Sequence, residues 1–373
     1  MKVIHVNKTY YPDTFGGMEE TIRQLSMQTA KFGVTNLVIT TSSNITKPEI
    51  VDHEAFQVMR FPVTFNFAST PFSFQLLRRF NELTADADLI HYHFPWPVAD
   101  LMHMLCRVKI PYIITYQSDI VKQKYLDILY SRIKHIFLSN ARLITVASPQ
   151  YMQSSKTLSR HLQRCRLMTL GLTDQYHDIV DKDKQSYWEQ RVGRDFFLFI
   201  GALRYYKGLT YLLKAIQGTK LRVVIVGNGP MWQSLHDEVS KLGIQNQIIF
   251  TGSITNEEKV YLYSLCRAFV FPSHLRSEAF GISLLEAAMY GCCLISCDIS
   301  TGTSYINIHC ETGIVVPPAD HFELKNAMNY LQDNSDIALQ MGSAARRRYL
   351  KHFMADRMGK TCMSYYNYAL KLR

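Results

Sequence analysis

The 373-residue sequence has no long hydrophobic run and no cysteine spacing that would point to a zinc site or a disulfide framework. A membrane-spanning helix needs about 20 consecutive apolar residues, and no stretch approaches that length. The eight cysteines include no CxxC pair, and several lie inside apolar runs such as CCLISC. We therefore expect a cytoplasmic protein whose thiols are reduced and mostly buried.

Signatures of nucleic-acid binding are also missing. The sequence has no long Lys/Arg tail and no zinc-finger, RNP or helix-turn-helix motif, so we expect no nucleic-acid partner. The formal net charge is nevertheless +10 at pH 7. An excess of this kind favours an anionic partner, which leaves a phosphorylated substrate or a membrane surface as candidates.

The sequence does contain a regular alternation of two patterns. Short apolar runs rich in Val, Ile and Phe, from VIHV near the start to GIVVPP, alternate with stretches of helical periodicity. Strands that alternate with helices predict βαβ units and parallel sheets. A polar stretch over residues 174–195 separates two such series, so we predict an α/β protein with domains over 1–175 and 190–354.

The most informative segment is PSHLRSEAFGISLLEAAMYG, residues 272–291. It follows the apolar run AFVF and is expected to begin a helix near Gly281. The turn before that helix would lie at the carboxyl end of a strand, where parallel sheets bind ligands and where helix N–H groups attract a diphosphate.

Glu278 and Glu286 are eight residues apart in this segment. If both were helical, they would point within about 80° of each other and be separated by roughly 12 Å along the axis. Two carboxylates so placed could bind hydroxyls at opposite ends of a sugar nucleotide. The alternatives are charge complementarity at a helix start for Glu278 and a solvated face for Glu286, although apolar residues flank Glu286.

This segment resembles the E-x7-E signature of the family 4 retaining glycosyltransferases of the GT-B fold. Gly16-Gly17, TYQSDIVKQK, GALRYYKG, VGNGP and a closing C-terminal helix follow in the family's order over nearly the whole chain. The resemblance implies two Rossmann-like domains whose parallel sheets face each other across a cleft. It implies an acceptor-binding domain over 1–175, a sugar-nucleotide-binding domain over 190–354, and a helix over about 355–373 that packs back on the first domain.

The resemblance also implies roles for individual residues. Glu278 would bind hydroxyls of the donor sugar, and Glu286 would bind the ribose. Arg204 and Lys207 would hold the leaving diphosphate, although the family's Arg directly follows the Gly, where this chain has Ala202. Because side chains alternate along a strand, positions 202 and 204 would share a face. The turn residues expected to contact the diphosphate are Ala279, Phe280, Gly281 and Ile282.

Three glycine turns are further candidate donor contacts. Gly16 and Gly17 would let the backbone approach a phosphate or sugar closely, because glycine has no Cβ. The resemblance implies that two strand ends, at Gly227-Asn228 and at Gly252-Ser253, lie near the nucleobase. Ordinary tight turns would use the same residues.

The position of Gln117 departs from the family, which commonly has a His two residues after the Thr of this motif. Gln donates and accepts hydrogen bonds but carries no titratable proton. We therefore expect Gln117 to position the donor sugar, while Asp119 or the leaving diphosphate handles the proton.

We expect no cofactor and no metal. His91 and His93 lie on one face of a strand, but without a third ligand at fixed spacing they are expected to be structural. Asp86-Ala87-Asp88 is literally a DxD motif, and its place before a strand predicts a helix-to-strand turn. In the mechanism that the resemblance implies, cationic groups and helix N–H donors stabilise the charge that develops on the departing phosphate.

Basic and aromatic residues interleave over residues 71–80 and 124–142. These segments predict either amphipathic helices packed on the sheet or peripheral docking on the inner face of the cytoplasmic membrane, where a lipid-linked glycan would lie. Similarity to bacterial polysaccharide-assembly enzymes implies mannose from GDP-mannose as the first donor hypothesis and O-antigen as an acceptor.

Other functions stay open. They are a UDP-sugar-dependent transferase of the same fold, a glycan phosphorylase, and a non-catalytic sugar-nucleotide-binding protein. A phosphorylase would need a cofactor lysine and normally a far longer chain. A Rossmann dehydrogenase would need a GxGxxG after the first strand, which NKTYYPDTFGG does not supply.

Overall fold

The computed structural model describes residues 1–53, 55–67, 69–119, 124–176 and 181–372, without the side chains of 124–129. The chain forms two compact units. The N-terminal unit comprises Met1–Thr173 and Met354–Arg373, and the C-terminal unit comprises Asp174–Phe353. The second unit therefore begins earlier in the chain than the predicted start at residue 190.

The N-terminal unit alternates strands and helices. Its elements, in chain order, are β1 (Lys2–Val6), α1 (Gly17–Ala30), β2 (Thr35–Ser42), β3 (Glu49–His53), β4 (Phe56–Pro62), β5 (Phe65–Phe67), β6 (Thr70–Phe72), α2 (Phe74–Thr84), β7 (Leu89–Phe94), α3 (Pro97–Leu105), β8 (Tyr112–Tyr116), α4 (Lys124–Asn140), β9 (Leu143–Val146), α5 (Pro149–Ser154) and β10 (Cys165–Leu167). Eight strands form one sheet in the order β10-β9-β8-β7-β1-β2-β4-β3. All neighbouring strands are parallel except β3 and β4, and β5 pairs with β6 in a separate hairpin.

The C-terminal unit repeats the same architecture. Its elements are α6 (Lys182–Val192), β11 (Phe196–Ile200), α7 (Leu209–Ile216), β12 (Val223–Val226), α8 (Trp232–Leu242), β13 (Ile248–Gly252), α9 (Asn256–Leu265), β14 (Cys266–Phe271), α10 (Ile282–Met289), β15 (Leu294–Cys297), α11 (Thr303–Ile306), β16 (Gly313–Val316), α12 (His321–Asp333) and α13 (Ser335–His352). The sheet is parallel in the order β13-β12-β11-β14-β15-β16, which is the Rossmann order. The predicted α/β class with two parallel sheets is confirmed.

Burial explains why these apolar runs form strands. Every residue of β11, β12 and β15 is buried, as expected for parallel strands that helices cover on both faces. The helices contribute matching apolar stripes: α7 buries Leu209, Leu212 and Ile216 toward the same core.

The last helix of the chain, α14 (Ala355–Lys371), belongs to the N-terminal unit. Phe353 and Met354, which are not helical, separate it from α13. Helix α14 packs on α1 so closely that a Cβ on Gly359 would lie 2.5 Å from Gln28 Cβ. The backbone N–H of Ala355 donates to the carbonyl of Leu172 at 2.9 Å, which fixes the start of the helix.

Two further expectations concern membranes and thiols. No helix of the described residues is long and apolar enough to cross a membrane. All eight cysteines are free, and five of them are buried, while Cys310 is exposed. The thiols are therefore mostly buried, as the sequence predicts.

Candidate active site

The C-terminal unit has a switch point between β11 and β14, where the order of strand addition reverses. Loops that leave the carboxyl ends of two such strands diverge, and ligands of open α/β sheets bind in the resulting crevice. Lys207 lies on the loop after β11, and Glu278 lies on the loop after β14. The structure brings their side chains together, with Lys207 Nζ 2.5 Å from Glu278 Oε2.

This ion pair is largely removed from solvent. The side chains of Lys207 and Glu278 are only 10% and 12% exposed. Lys207 Nζ also lies 4.6 Å from the ring centroid of Phe271, a cation–π contact. Ser273 Oγ donates to Glu278 Oε2 at 3.4 Å. A charged group with so little exposure to solvent needs a partner of opposite charge, so each side chain holds the other in position.

Glycine permits the two loops to approach each other. Gly208 lies at φ 71°, and a Cβ there would overlap the carbonyl oxygen of Pro272. Any other residue would push the Lys207 loop away from the Glu278 loop.

Glu278 does not lie on a helix. Helix α10 begins at Ile282, with Gly281 as its N-cap, so the helical spacing calculated for Glu278 and Glu286 does not apply. Among the described residues no side chain caps this helix start. Its first N–H groups are therefore donors without a helical acceptor, as anion binding requires.

Gly302 supports the turn before α10, and the sequence reasoning did not identify it. Its backbone N–H donates to the carbonyl of Ala279 at 2.8 Å. A Cβ on Gly302 would lie 2.6 Å from the Cα of Phe280. The available signal was a glycine shortly after the strand-like run LISC, at the carboxyl end of the strand next to β14.

Glu286 lies on α10 and contacts two residues of α9. Lys259 Nζ lies 3.2 Å from Oε1 and 3.4 Å from Oε2. The hydroxyl of Tyr263 donates to Oε2 at 3.2 Å. The Glu286 side chain is only 16% exposed, so the structure does not place it on a solvated face. The sequence reasoning missed both partners, because NEEK reads as an ordinary charged helix start.

Arg204 and Ala202 are both exposed, and Leu203 between them is buried. The backbone N–H of Arg204 donates to the carbonyl of Ala202 at 2.9 Å, so the chain turns tightly at Leu203 and the extended geometry assumed for positions 202 and 204 does not persist. The structure thus places Arg204 at the surface of the same loop that carries the buried Lys207.

The predicted nucleobase contacts lie at the ends of β12 and β13. The N–H of Gly227 donates to the carbonyl of Gly252 at 2.9 Å, which joins the two turns. Asn228 and Ser253 are exposed beside them. Helix α8 begins at Trp232, shortly after these turn residues.

In the N-terminal unit, Gly16 is the N-cap of α1 and Gly17 is the first residue of that helix. They follow β1, which borders the switch point of this sheet between β1 and β7. The hydroxyls of Thr9 and Thr14 both donate to Glu19 Oε1, at 3.3 and 2.5 Å, and hold the preceding loop against the helix.

Gln117 and Asp119 follow β8. The backbone N–H of Gln117 donates to the carbonyl of Phe94 at 2.9 Å, but its buried side-chain Nε2 has no partner among the described residues. Asp119 Oδ1 accepts hydrogen bonds from Tyr116 at 2.8 Å and Ser155 at 2.7 Å. The rest of the TYQSDIVKQK motif, residues 120–123, lies outside the described residues.

His91 and His93 are buried together with a third histidine, His5, whose potential ligand atoms lie within 4.8 Å of theirs. The sequence reasoning missed His5, although it lies at an alternate position of the first strand. Burial lowers the pKa of His5 to about 4 and the pKa values of the other two well below their usual value. We therefore interpret the three rings as neutral.

Hydrogen bonds assign the protons in this histidine cluster. Asn36 Nδ2 donates to Ser26, so its Oδ1 accepts from His5 Nε2 at 3.2 Å. His5 Nδ1 then accepts from His93 Nε2 at 3.1 Å. His91 is engaged separately, by Tyr366 at 2.9 Å and Thr115 at 2.6 Å. His5 thus supplies the third potential ligand whose absence the sequence argument assumed, although the ring nitrogens of His5 and His91 already take part in hydrogen bonds.

The DxD residues lie in the turn between α2 and β7, as predicted. Lys2 binds both aspartates: its Nζ pairs with Asp86 at 2.5 Å, and its backbone N–H donates to Asp88 at 2.7 Å. Both contacts lie at the amino ends of β1 and β7, away from the edge of the sheet that carries the candidate residues of this unit.

Comparison with known proteins identifies related sequences along both halves of the chain. Residues 15–168 match the model of "Glycosyltransferase Family 4", and residues 181–348 match "Glycosyl transferases group 1". The chain is 45% identical to O-antigen chain mannosyltransferase C of Escherichia coli over 360 residues, 96% of each chain. It is 44% identical to the D-rhamnosyltransferase WbpZ of Pseudomonas aeruginosa over 355 residues, 95% of this chain and 93% of the relative.

Solved structures share the fold at lower identity. Sucrose-phosphate synthase from Thermosynechococcus elongatus superimposes with a TM-score of 0.82 at 19% identity, and 98% of each chain is covered. Anabaena Alr3699/HepE in complex with UDP and glucose gives a TM-score of 0.77 at 16% identity, again over 98% of each chain.

Proposed function

The chain belongs to the group 1 and family 4 glycosyltransferases of the GT-B fold, and from that premise we propose that it is a retaining mannosyltransferase. It would move mannose from GDP-mannose onto a lipid-linked or growing polysaccharide such as O-antigen. Two relatives along nearly the whole chain support this choice, because one is a mannosyltransferase and the other a D-rhamnosyltransferase. D-Rhamnose is 6-deoxymannose, so both named sugars have the manno configuration.

The observation that carries the proposal is the Lys207–Glu278 pair at the switch point of the C-terminal sheet. The sugar nucleotide carries a diphosphate that can accept hydrogen bonds from Lys207. It also carries sugar hydroxyls that can donate hydrogen bonds to Glu278. Binding would exchange one short ion pair for two sets of charge-assisted hydrogen bonds, which are stronger than neutral ones. Arg204 and the free N–H groups near Gly281 would share the charge of the diphosphate.

The chemistry that we propose needs no dedicated base. The bond between the anomeric carbon and the diphosphate oxygen breaks, the acceptor oxygen bonds to the same face, and its proton passes to the leaving diphosphate. Lys207, Arg204 and the helix start stabilise the negative charge as it develops, and no metal or cofactor is required in this scheme. Asp119 already accepts two hydroxyl hydrogen bonds, which favours an orienting role for it.

The remaining candidate residues would bind the rest of the donor. Glu286 would accept from the ribose hydroxyls, and the exposed turns at Asn228 and Ser253, with the adjoining Gly227 and Gly252, would approach the base. In the N-terminal unit we propose backbone contacts from Gly16 and Gly17 and sugar positioning by Gln117.

We also propose that the N-terminal unit contacts an anionic membrane, where a lipid-linked acceptor would lie. The β5–β6 hairpin and the start of α2 expose Phe65, Phe67 and Phe74, which are 51%, 65% and 50% exposed. Arg78, exposed one turn into α2, adds positive charge beside them. Exposed aromatic side chains next to basic ones suit the interface of an anionic bilayer.

A panel of sugar nucleotides tests the proposed donor. Purified protein is incubated in EDTA with GDP-mannose, UDP-glucose, UDP-N-acetylglucosamine and ADP-glucose, and the released nucleoside diphosphate is measured. We expect slow release from GDP-mannose above the others. Preference for a UDP-sugar would show that the proposed donor is wrong. Activity that only Mg²⁺ or Mn²⁺ restores would contradict metal independence. Binding without any turnover would favour a non-catalytic protein.

A further inference from the structure

The side chains around Glu286 point to a function for α9 that the signature motif does not contain. Lys259 and Tyr263 are four residues apart on this helix and therefore lie on one face of it, toward α10. Both reach the Glu286 carboxylate, at 3.2 to 3.4 Å. Three half-buried or buried polar groups thus converge at one point beside the predicted nucleotide-binding segment.

Tyr263 is a rigid donor. Its ring stacks on Tyr290, with centroids 4.8 Å apart and planes 15° apart, and only 4% of the residue is exposed. Its carbonyl also lies near the thiols of Cys266 and Cys292, at 3.4 and 3.5 Å. Burial and the charge of Glu286 raise the pKa of Tyr263 well above its usual value, so the hydroxyl keeps its proton.

Lys259 adds a charge-balancing contact to both carboxylate oxygens. An ionised carboxylate accepts about four hydrogen bonds through two oxygens. Lys259 and Tyr263 occupy positions on the side that faces α9. Lys259 contacts both oxygens and Tyr263 contacts Oε2, so among the described residues about three of these positions are filled and about one, on Oε1, is left for a ribose hydroxyl.

We propose that Lys259 and Tyr263 are positioning residues for the nucleotide half of the donor. They fix the orientation of Glu286 and balance its charge, so that its remaining acceptor position on Oε1 receives a hydrogen bond from the 2′-hydroxyl of the ribose and selects ribonucleotides over 2′-deoxyribonucleotides. This inference rests on the proposed function, because it takes Glu286 as a ribose contact. It adds two residues outside the E-x7-E segment that favour a nucleotide with ribose over one with 2′-deoxyribose.

Nucleotide binding tests the inference directly. Isothermal titration calorimetry is performed with GDP and with 2′-deoxy-GDP. If UDP or ADP binds wild type more tightly than GDP does, that nucleotide and its 2′-deoxy form are used instead. We expect wild type to prefer the ribonucleotide about tenfold, the value of one charge-assisted hydrogen bond. Lys259→Met should bind the ribonucleotide about tenfold more weakly than wild type does. Its preference for the ribonucleotide over the deoxy form should be less than about threefold.

Three further variants separate positioning from a general structural effect. Lys259→Arg restores a cation and should recover most of the affinity, while Tyr263→Phe should lose part of it. Lys360→Met removes the lysine of an exposed pair with Asp356, 3.5 Å away on α14, and should change nothing. In steady-state assays Lys259→Met should raise the KM for the donor while kcat stays within about twofold, because other groups hold the reacting sugar.

Two results would overturn the inference. In the first, Lys259→Met binds the ribonucleotide as tightly and as selectively as wild type does, while Glu286→Ala binds it weakly. That result would leave the proposed function intact. The other is an equal weakening toward both nucleotides together with a lowered melting temperature, which would make Lys259 purely structural. If Glu286→Ala itself left binding unchanged, the ribose contact of the proposed function would be wrong.

Discussion

The motif that this sequence resembles implies a histidine where the chain has Gln117, whose half-buried side chain has an Nε2 with no partner among the described residues. We expect it to position the donor sugar through hydrogen bonds rather than to transfer a proton. Gln117→His should keep at least about a tenth of wild-type activity, and Gln117→Ala should lose more because it removes both hydrogen-bonding groups. Both are assayed at saturating donor between pH 6 and 8. Wild-type activity in the Ala variant would place Gln117 outside the working site.

The sequence proposed single residues of the candidate site but not their contacts. It singled out Glu278 and Glu286 by their spacing and Lys207 through the family resemblance, and their roles stay predictions. It did not predict that Lys207 and Glu278 pair directly, because they are 71 residues apart and their contact depends on the approach of two loops. Lys259 was missed for the same reason: its partner comes from another element of the fold.

The loop after β15 contacts, through Gly302, the turn that we propose binds the diphosphate. This glycine has φ −63°, which any residue can adopt, so Gly302→Ala adds only a steric clash with Phe280. We expect the clash to cost about 1 to 3 kcal/mol of stability and to raise the KM for the donor at least about fivefold. Urea denaturation and steady-state kinetics measure the two effects.

Gly33→Ala is the matched control for that variant. Gly33 lies between α1 and β2 at φ 78° with open space around its missing Cβ, so the substitution costs backbone strain without a clash. It should lower stability but leave the donor KM unchanged. An unchanged KM in Gly302→Ala would show that the loop does not support the donor site.

The buried histidine cluster on β1 and β7 makes stability depend on pH. His5, His91 and His93 have folded-state pKa values below the ordinary value, because burial penalises the cation. The unfolded chain therefore binds more protons at acid pH. By linkage, the contribution of these three histidines to the free energy of unfolding is fully present above about pH 6.5 and is lost as the pH drops toward 4.

Urea denaturation at pH 7.5, 6.0 and 5.0 measures this dependence. His53, His103, His161 and His274 also have lowered pKa values and act in the same direction. His93→Gln keeps an N–H donor for His5 but cannot be protonated, so its stability should fall less between pH 7.5 and 5.0 than that of wild type. Equal slopes for the two proteins would show that His93 does not contribute.

Elements with strong periodicity were predicted well, and elements with weak signals were not. Residues 174–195 read as a linker because they are polar, yet α6 forms there since Trp188 and Val192 are buried against the C-terminal unit. The resemblance implied a final helix over about 355–373, and α14 begins at Ala355, after the non-helical residues Phe353 and Met354.

At the level of the whole molecule, the exposed aromatic surface of the N-terminal unit should bind anionic membranes. Sedimentation with phosphatidylglycerol vesicles should recover wild type, and replacing Phe65, Phe67 and Phe74 with Ser should reduce binding at least about fivefold. Phe322→Ser is the control, since Phe322 is 67% exposed but lies in the C-terminal unit. Equal recovery of the triple variant, or no binding of wild type, would remove this surface from the account.

In the proposed function, a donor site at the switch point of the C-terminal sheet carries out sugar transfer. The most direct test is the initial rate of mannose transfer from GDP-mannose to a lipid-linked polysaccharide, measured for wild type, Lys207→Ala and Glu286→Ala. Each variant should keep its fold but lose at least about tenfold in rate, because each lost charge-assisted hydrogen bond is worth roughly 1.5 to 3 kcal/mol. A near-normal rate in either folded variant would contradict the account.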